Sequence, residues 1–198
     1  MSDVDIKSAL EIALEKVEKL GSATEEERLR WEYVPEGEKL AAKYLKEGTN
    51  LVLELKKYPV NAKKYVIEGA QGILIRNINM PKDDIAKRKN RQAMDGLKTL
   101  KSDKVGVENI YSAMRRIFEH YLKQGEQQRK QAYESLKKEF EAKIQAAIQQ
   151  QLGSFVGYKV DVERQPQFQE EWRRMQSQLD SQYTMLLEEY KRELKALA

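Results

Sequence analysis

The chain has 198 residues, of which 40% are hydrophobic and 34% are charged, and its formal net charge is +4. It contains no cysteine, which excludes disulfide bonds, thiolate catalysis and Cys-ligated metal sites. No apolar run reaches the roughly 18–20 residues that span a bilayer, and the acidic start lacks the pattern of a secretory signal. We therefore expect a cytoplasmic protein without membrane insertion.

The charge is unevenly distributed along the chain. Residues 1–38 have a net charge of −6, residues 39–104 a net charge of +9 and residues 105–198 a net charge of +1. One interpretation is that the acidic first helices fold back on the basic middle. The other is that the basic middle offers an anion-binding face.

Apolar residues at steps of three and four predict an N-terminal amphipathic helix over about Ile6–Leu20. Two overlapping capping patterns follow, Ser22 with Glu25 and Thr24 with Glu27. They predict a short second helix that reaches about Tyr33, where Pro35 stops it.

Four more helices are predicted before residue 104. The third ends at Gly48, Thr49 or Asn50 caps the short fourth, and Asn61 caps the fifth. The stretch 73–78 could be a strand by composition, but its three-four spacing favours the fifth helix. Pro81 marks the start of the sixth helix.

The remaining chain predicts a long antiparallel hairpin. Residues 107–152 hold no proline and a single glycine, Gly125, which we expect to bend or interrupt the helix. Equal arm lengths would place residue 197 opposite Tyr121. The apolar seam between the arms is predicted at Tyr133, Leu136, Phe140, Ile144, Ile148, Trp172, Met175, Leu179 and Leu186. In the heptad stripe of the second arm, Gln182 stands where an apolar residue would continue it.

The sequence thus predicts an all-α protein of two parts. Residues 1–104 form a compact multi-helix bundle whose sixth helix is basic. Residues 105–198 form a coiled-coil-like helical hairpin with its turn at about 153–166.

No catalytic, cofactor-binding or metal-binding residues can be assigned from motifs. His120 is the only histidine, whereas a di-iron bundle of the usual kind needs two Glu-x-x-His motifs. Gly69 and Gly72 lack the spacing and the lysine of a phosphate loop. Adjacent carboxylates such as Glu170 and Glu171 point about 100° apart on a helix, so they do not converge on one substrate atom.

A basic cluster in the sixth helix is the candidate anion or nucleic-acid contact. It comprises Lys82, Lys87, Arg88, Lys89 and Arg91. Such side chains can bind phosphates by counterion release, although Asp83, Asp84 and Asp95 dilute the positive charge.

Two functions follow as hypotheses. The long amphipathic arms favour a non-enzymatic structural or adaptor protein that associates with a protein partner or with a second copy of itself. Fourteen of the sixteen glutamines lie between Gln124 and Gln182, typical of a solvated helix face or of a hydrogen-bonding surface for a partner. The alternative is a nucleic-acid-associated protein that uses the basic cluster.

Overall fold

The computed structural model describes residues 23–152 and 161–197, and all regular structure in these ranges is helical, which confirms the all-α prediction. The α-helices are α1 (Glu25–Glu47), α2 (Leu51–Leu55), α3 (Lys63–Arg76), α4 (Asp84–Leu100), α5 (Lys104–His120), α6 (Glu126–Leu152) and α7 (Pro166–Ala196). A π-helical turn, Tyr121–Gly125, joins α5 to α6, and a 3-10 turn, Val162–Arg164, precedes α7. The predicted first helix, the Ser22 cap and residues 153–160 of the predicted turn lie outside the described residues.

The chain divides into two compact units. The first contains the chain up to Ile78 together with Arg91–Ser102, and the second contains Asn79–Asn90 together with the chain from Asp103 onward. Helix α4 therefore begins in the second unit and ends in the first. The side chain of Asn90 joins the two ends of the segment Asn79–Asn90. It accepts a hydrogen bond from the Asn79 amide (2.9 Å) and donates one to the Asn79 carbonyl (2.5 Å).

Helix α1 is capped at both ends by the residues that the sequence indicates. The Glu27 amide donates to Thr24 Oγ1 (3.2 Å) and the Thr24 amide donates to Glu27 Oε2 (2.9 Å), which completes the predicted capping box. Hydrogen bonds from Thr24 lower the pKa of the Glu27 carboxyl group. Gly48 ends the helix in the left-handed conformation, with φ of 70°.

The predicted break at Pro35 is wrong, because α1 continues through this residue to Glu47. A proline inside a helix loses one hydrogen bond and crowds the preceding turn. Packing on both sides of Pro35 offsets this cost. The Val34 carbonyl lies against Gly69 of α3, and Gly37 lies against the Val66 carbonyl. The two helices could not approach this closely with larger residues at the two glycine positions.

Helices α1 and α3 run parallel. Three ion pairs join residues that are 38 positions apart, Glu26 with Lys64, Arg30 with Glu68 and Glu38 with Arg76. The chain between them returns along α1, where the rings of Tyr33 and Tyr58 meet edge to face with centroids 6.3 Å apart. On the buried side, α3 contributes Tyr65, Val66, Gly69, Ala70 and Leu74.

The structure confirms the predicted cap of α2 but not that of α3. Asn50 caps α2, where its Oδ1 accepts from the amides of Val52 (3.0 Å) and Leu53 (3.2 Å). The Asn61 cap predicted for α3 is wrong. The Pro59 carbonyl already accepts from the amides of Ala62 and Lys63, so a turn starts α3 without a side-chain cap.

In the second unit, α7 packs antiparallel to α5 and α6, but the predicted register is wrong. Tyr121 lies against Asp180 and Tyr183, whereas Leu197 lies beside Gly106. The reason is that Val162, which precedes α7, already packs against Leu136 in the middle of α6. The two arms are therefore unequal.

None of the helices in the described part of the chain combines the length and the apolar character that crossing a membrane requires.

Candidate functional site

An aromatic cluster joins the start of α7 to α6. Its buried members are Leu136, Val162 and Phe168, and Tyr133, Phe140, Ile144, Trp172 and Met175 pack around them. The rings of Tyr133 and Trp172 meet nearly perpendicularly with centroids 5.0 Å apart, and Phe168 contacts Tyr133 and Phe140 in the same geometry at 5.5 Å. The structure thus brings six of the nine predicted seam residues together.

The other three predicted seam residues lie outside this cluster. Ile148 and Leu179 are half-buried, and Leu186 is 44% exposed while its neighbour Leu187 is buried. The buried side of α7 passes through Phe168, Leu187, Lys191 and Leu194. A straight helix with 3.6 residues per turn drifts away from a strict heptad, so residues assigned by a seven-residue repeat rotate toward solvent near the end.

An ion pair fastens the 3-10 turn to α6. Lys137 Nζ lies 2.5 Å from Glu163 Oε1, and the hydrogen bond from Lys137 lowers the pKa of the Glu163 carboxyl group. Since the folded pKa is depressed, the ion pair stabilises the fold above the unfolded pKa and is lost as the pH falls through the folded value. We expect Lys137→Met to raise the pKa of Glu163, measured by NMR titration. An unchanged pKa would contradict this assignment.

The polar centre of the second unit lies at the π-helical turn. Arg129 Nη1 donates to Asp180 Oδ1 at 2.9 Å, and both side chains are mostly buried, with 15% and 13% exposure. Arg129 Nη2 also donates to the Tyr121 carbonyl at 3.2 Å, and its guanidinium lies 4.2 Å from the centroid of the Tyr121 ring. One arginine therefore binds the turn to α7.

Two tyrosines complete this polar centre. Tyr121 Oη donates to Asp180 Oδ2 at 3.3 Å, and Tyr183 Oη shares a hydrogen bond of 2.9 Å with His120 Nδ1. Burial raises the pKa of the Tyr121 phenol, and Arg129 opposes this rise. Tyr121 thus stays a hydrogen-bond donor at neutral pH.

Gly125 gives Arg129 the space that it needs. A Cβ at Gly125 would lie 3.1 Å from Arg129 Nη1 and 3.2 Å from Tyr183 Oη, which is tighter than ordinary contact. The sequence predicts a bend or an interruption at Gly125, and the structure has a π-helical turn that ends at this residue. Such turns often occur at functional sites.

A groove lies beside the polar centre between α6 and α7, and we call it the neutral groove. Its volume is about 690 Å³. It is lined by His120, Gln128, Ala132, Met175, Gln178, Leu179, Gln182, Tyr183 and Leu186. Apart from His120 and Tyr183, no lining side chain ionises. The adjoining Met185 is 62% exposed, which adds apolar surface beside the groove.

A second groove between the same helices has a different character. Its lining includes Glu139, Lys143, Glu170, Glu171 and Arg174. Lys143 pairs with Glu139 at 2.6 Å, and Arg174 lies 3.8 Å from Glu171. The structure therefore places a charged, internally paired surface in one groove and an uncharged surface in the other.

The predicted basic cluster is divided between the units. Arg91 belongs to the first unit, and the other four residues belong to the second. Lys87 Nζ lies 2.9 Å from Asp84, and Lys82 Nζ lies 4.0 Å from Asp180. The pKa of the Asp84 carboxyl is lowered chiefly by Lys87 and also by Arg88. Three of the five cations thus lie near carboxylates, which reduces the positive charge offered to a phosphate.

Motif reasoning missed Arg129, Asp180 and Tyr121, because pairs separated by about 50 residues leave no local pattern. The sequence did show Gln182 as an interruption of the heptad stripe, and Gln182 lines the neutral groove. The described residues contain no cluster of three His, Cys, Asp or Glu side chains that could hold a metal ion.

Comparison with known proteins gives one result. No curated protein and no solved structure matches the chain. A family model matches residues 52–196, which include α2 except its first residue, all of α3 to α7, and thus the polar centre and the neutral groove. The chain belongs to this family, which is described as a family of unknown function (DUF6657).

Proposed function

We propose that the chain is a non-enzymatic structural or adaptor protein, and that its neutral groove binds an α-helix with an apolar, uncharged face. The observation that carries the proposal is the composition of the groove. Apolar Met175, Leu179 and Leu186 lie among Gln128, Gln178 and Gln182. Two helices with an apolar stripe between them can accept a third, in the helix-in-groove mode of recognition.

The surroundings of the groove also support a docking surface. From Met175 to Leu187 the only acidic or basic residue is Asp180, and Arg129 pairs with it inside the unit. This part of α7 extends for roughly 18 Å at 1.5 Å per residue. In a chain with 34% charged residues, such a stretch lacks the charged side chains that normally keep helices apart in solution.

The basic cluster supports the alternative, nucleic-acid binding, less well. Its Lys87 and Lys82 lie near carboxylates, as described above. No described feature of the cluster provides stacking or base-reading geometry. We therefore assign the function to the neutral groove.

Photo-cross-linking in the cells that produce the protein would test the groove. We expect a photoreactive residue at Gln182 to form an adduct with a helix of one defined protein, identified by mass spectrometry. The matched position is Gln127, which is exposed on α6 and does not line the groove. Equal adducts at the two positions, or none at Gln182, would contradict the proposal.

A further inference from the structure

We infer that the helix bound in the neutral groove belongs to a second copy of this chain, in a two-fold symmetric contact. This inference rests on the proposed function and names its partner. In a two-fold contact the same surface occurs on both sides, so residues near the axis meet their own copies. The surface must therefore be chemically complementary to itself.

The lining of the groove meets that condition. Glutamine carries both a carbonyl acceptor and an amide donor, so Gln178 or Gln182 can pair reciprocally with the same residue of a second copy. Leu179 and Met175 gain from contact with their own copies because both bury apolar surface. No pair of carboxylates from this part of α7 would be forced together, since Asp180 is held inside the unit by Arg129.

The charged groove, which shares Met175 with the neutral groove, lacks this property. In a two-fold contact there, Glu170, Glu171 or Arg174 would approach copies of themselves. Like charges brought together across an interface weaken association. Charge therefore selects the neutral groove as the surface for self-association.

The position of the groove along α7 also suits a two-fold contact. The lining runs from Met175 to Leu186, with Leu179 and Gln182 near its middle. An axis close to these residues would place the Met175 end of each copy against the Leu186 end of the other. The exposed Leu186 and Met185 would then be covered.

Sedimentation of the full chain over a range of concentrations tests the inference. We expect a reversible dimer whose dissociation constant rises at least about tenfold in Gln128→Glu/Gln182→Glu, because four carboxylates then meet in one interface. The control Gln127→Glu/Gln131→Glu makes the same chemical change at exposed positions outside the groove and should leave the dimer unchanged. Helix content by circular dichroism should be equal in all three proteins.

A wild-type chain that stays monomeric at all concentrations would overturn the inference, as would a dimer that the groove variant does not weaken. The photo-cross-link at Gln182 separates this failure from failure of the proposed function. If the chain is monomeric but cross-links to a different protein, the docking groove is supported and a second copy is excluded as its occupant. If the chain is monomeric and forms no adduct, both the proposed docking groove and the inferred dimer are wrong.

Discussion

Replacing Gly37 with alanine is expected to destabilise the first unit by at least about 2 kcal/mol, since overpacking a tight helix contact typically costs 1–3 kcal/mol or more. A Cβ at Gly37 would overlap the carbonyl oxygen of Val66, and one at Gly69 would overlap that of Val34. Both obstacles are backbone atoms, which cannot turn aside as a flexible side chain can. Helices α1 and α3 would have to separate along their contact.

Gly72 provides the matched control on the same helix as Gly69. No atom lies within 4 Å of a Cβ built at Gly72. Alanine is a better helix former than glycine, so Gly72→Ala should stabilise the unit by about 0.5–1 kcal/mol. The same chemical change is thus expected to have opposite signs at Gly37 and Gly72.

The two tryptophans allow this measurement to be made on one unit at a time. Trp31 lies in the first unit and Trp172 in the second. In a Trp172→Phe background, denaturant unfolding followed by fluorescence reports Trp31 alone. A Gly37→Ala protein as stable as its parent would show that α1 and α3 do not contact each other closely at this point.

The glycine contact also shows where sequence reasoning reaches its limit. The capping box of Thr24 and Glu27 and the Gly48 terminus were predictable, because each depends on residues within a few positions. The rule that proline stops a helix is equally local, and it failed at Pro35. The helix continues through Pro35, and its residues on either side of Pro35 contact Val66 and Gly69, which are more than 25 positions away in the chain.

The hairpin shows the same contrast. Its apolar stripes predicted two packed arms, and Gly125 predicted a bend or an interruption of the long helix, which the structure shows as a π-helical turn. The register could not be predicted by counting residues, because Val162 packs on Leu136 and α7 starts part-way along α6. Once the register changes, the charges that meet across the arms also change. The pairing of Arg129 with Asp180 was therefore beyond any local pattern.

That pair leads to the second large effect. We expect Arg129→Met to destabilise the second unit by about 3 kcal/mol, because removing one partner of a mostly buried ion pair leaves the other charge uncompensated. Among the described side chains, Asp180 would keep the weak hydrogen bond from Tyr121 and the distant Lys82. The variant also removes the hydrogen bond to the Tyr121 carbonyl and the contact with its ring.

The exposed pair of Lys123 with Glu119 serves as the control, since it lies in the same region and joins side chains that are 69% and 64% exposed. Lys123→Met should cost less than about 0.5 kcal/mol, because water already screens this pair. In a Trp31→Phe background, the fluorescence of Trp172 reports the second unit for both variants.

A double variant separates the charge from the packing. If the cost of Arg129→Met comes from an unpaired carboxylate, then removing that carboxylate as well, in Arg129→Met/Asp180→Leu, should recover part of the lost stability. If the double variant is instead less stable than Arg129→Met alone, the hydrogen bond that the Asp180 side chain accepts from Tyr121 outweighs the cost of its charge. The double variant also removes the one charge between Met175 and Leu187 without adding another. We therefore expect the neutral groove to bind its partner helix as before, although the polar centre is lost. Association that persists in the double variant would show that the groove binds without this ion pair, whose contribution to the fold is read from the stability measurement.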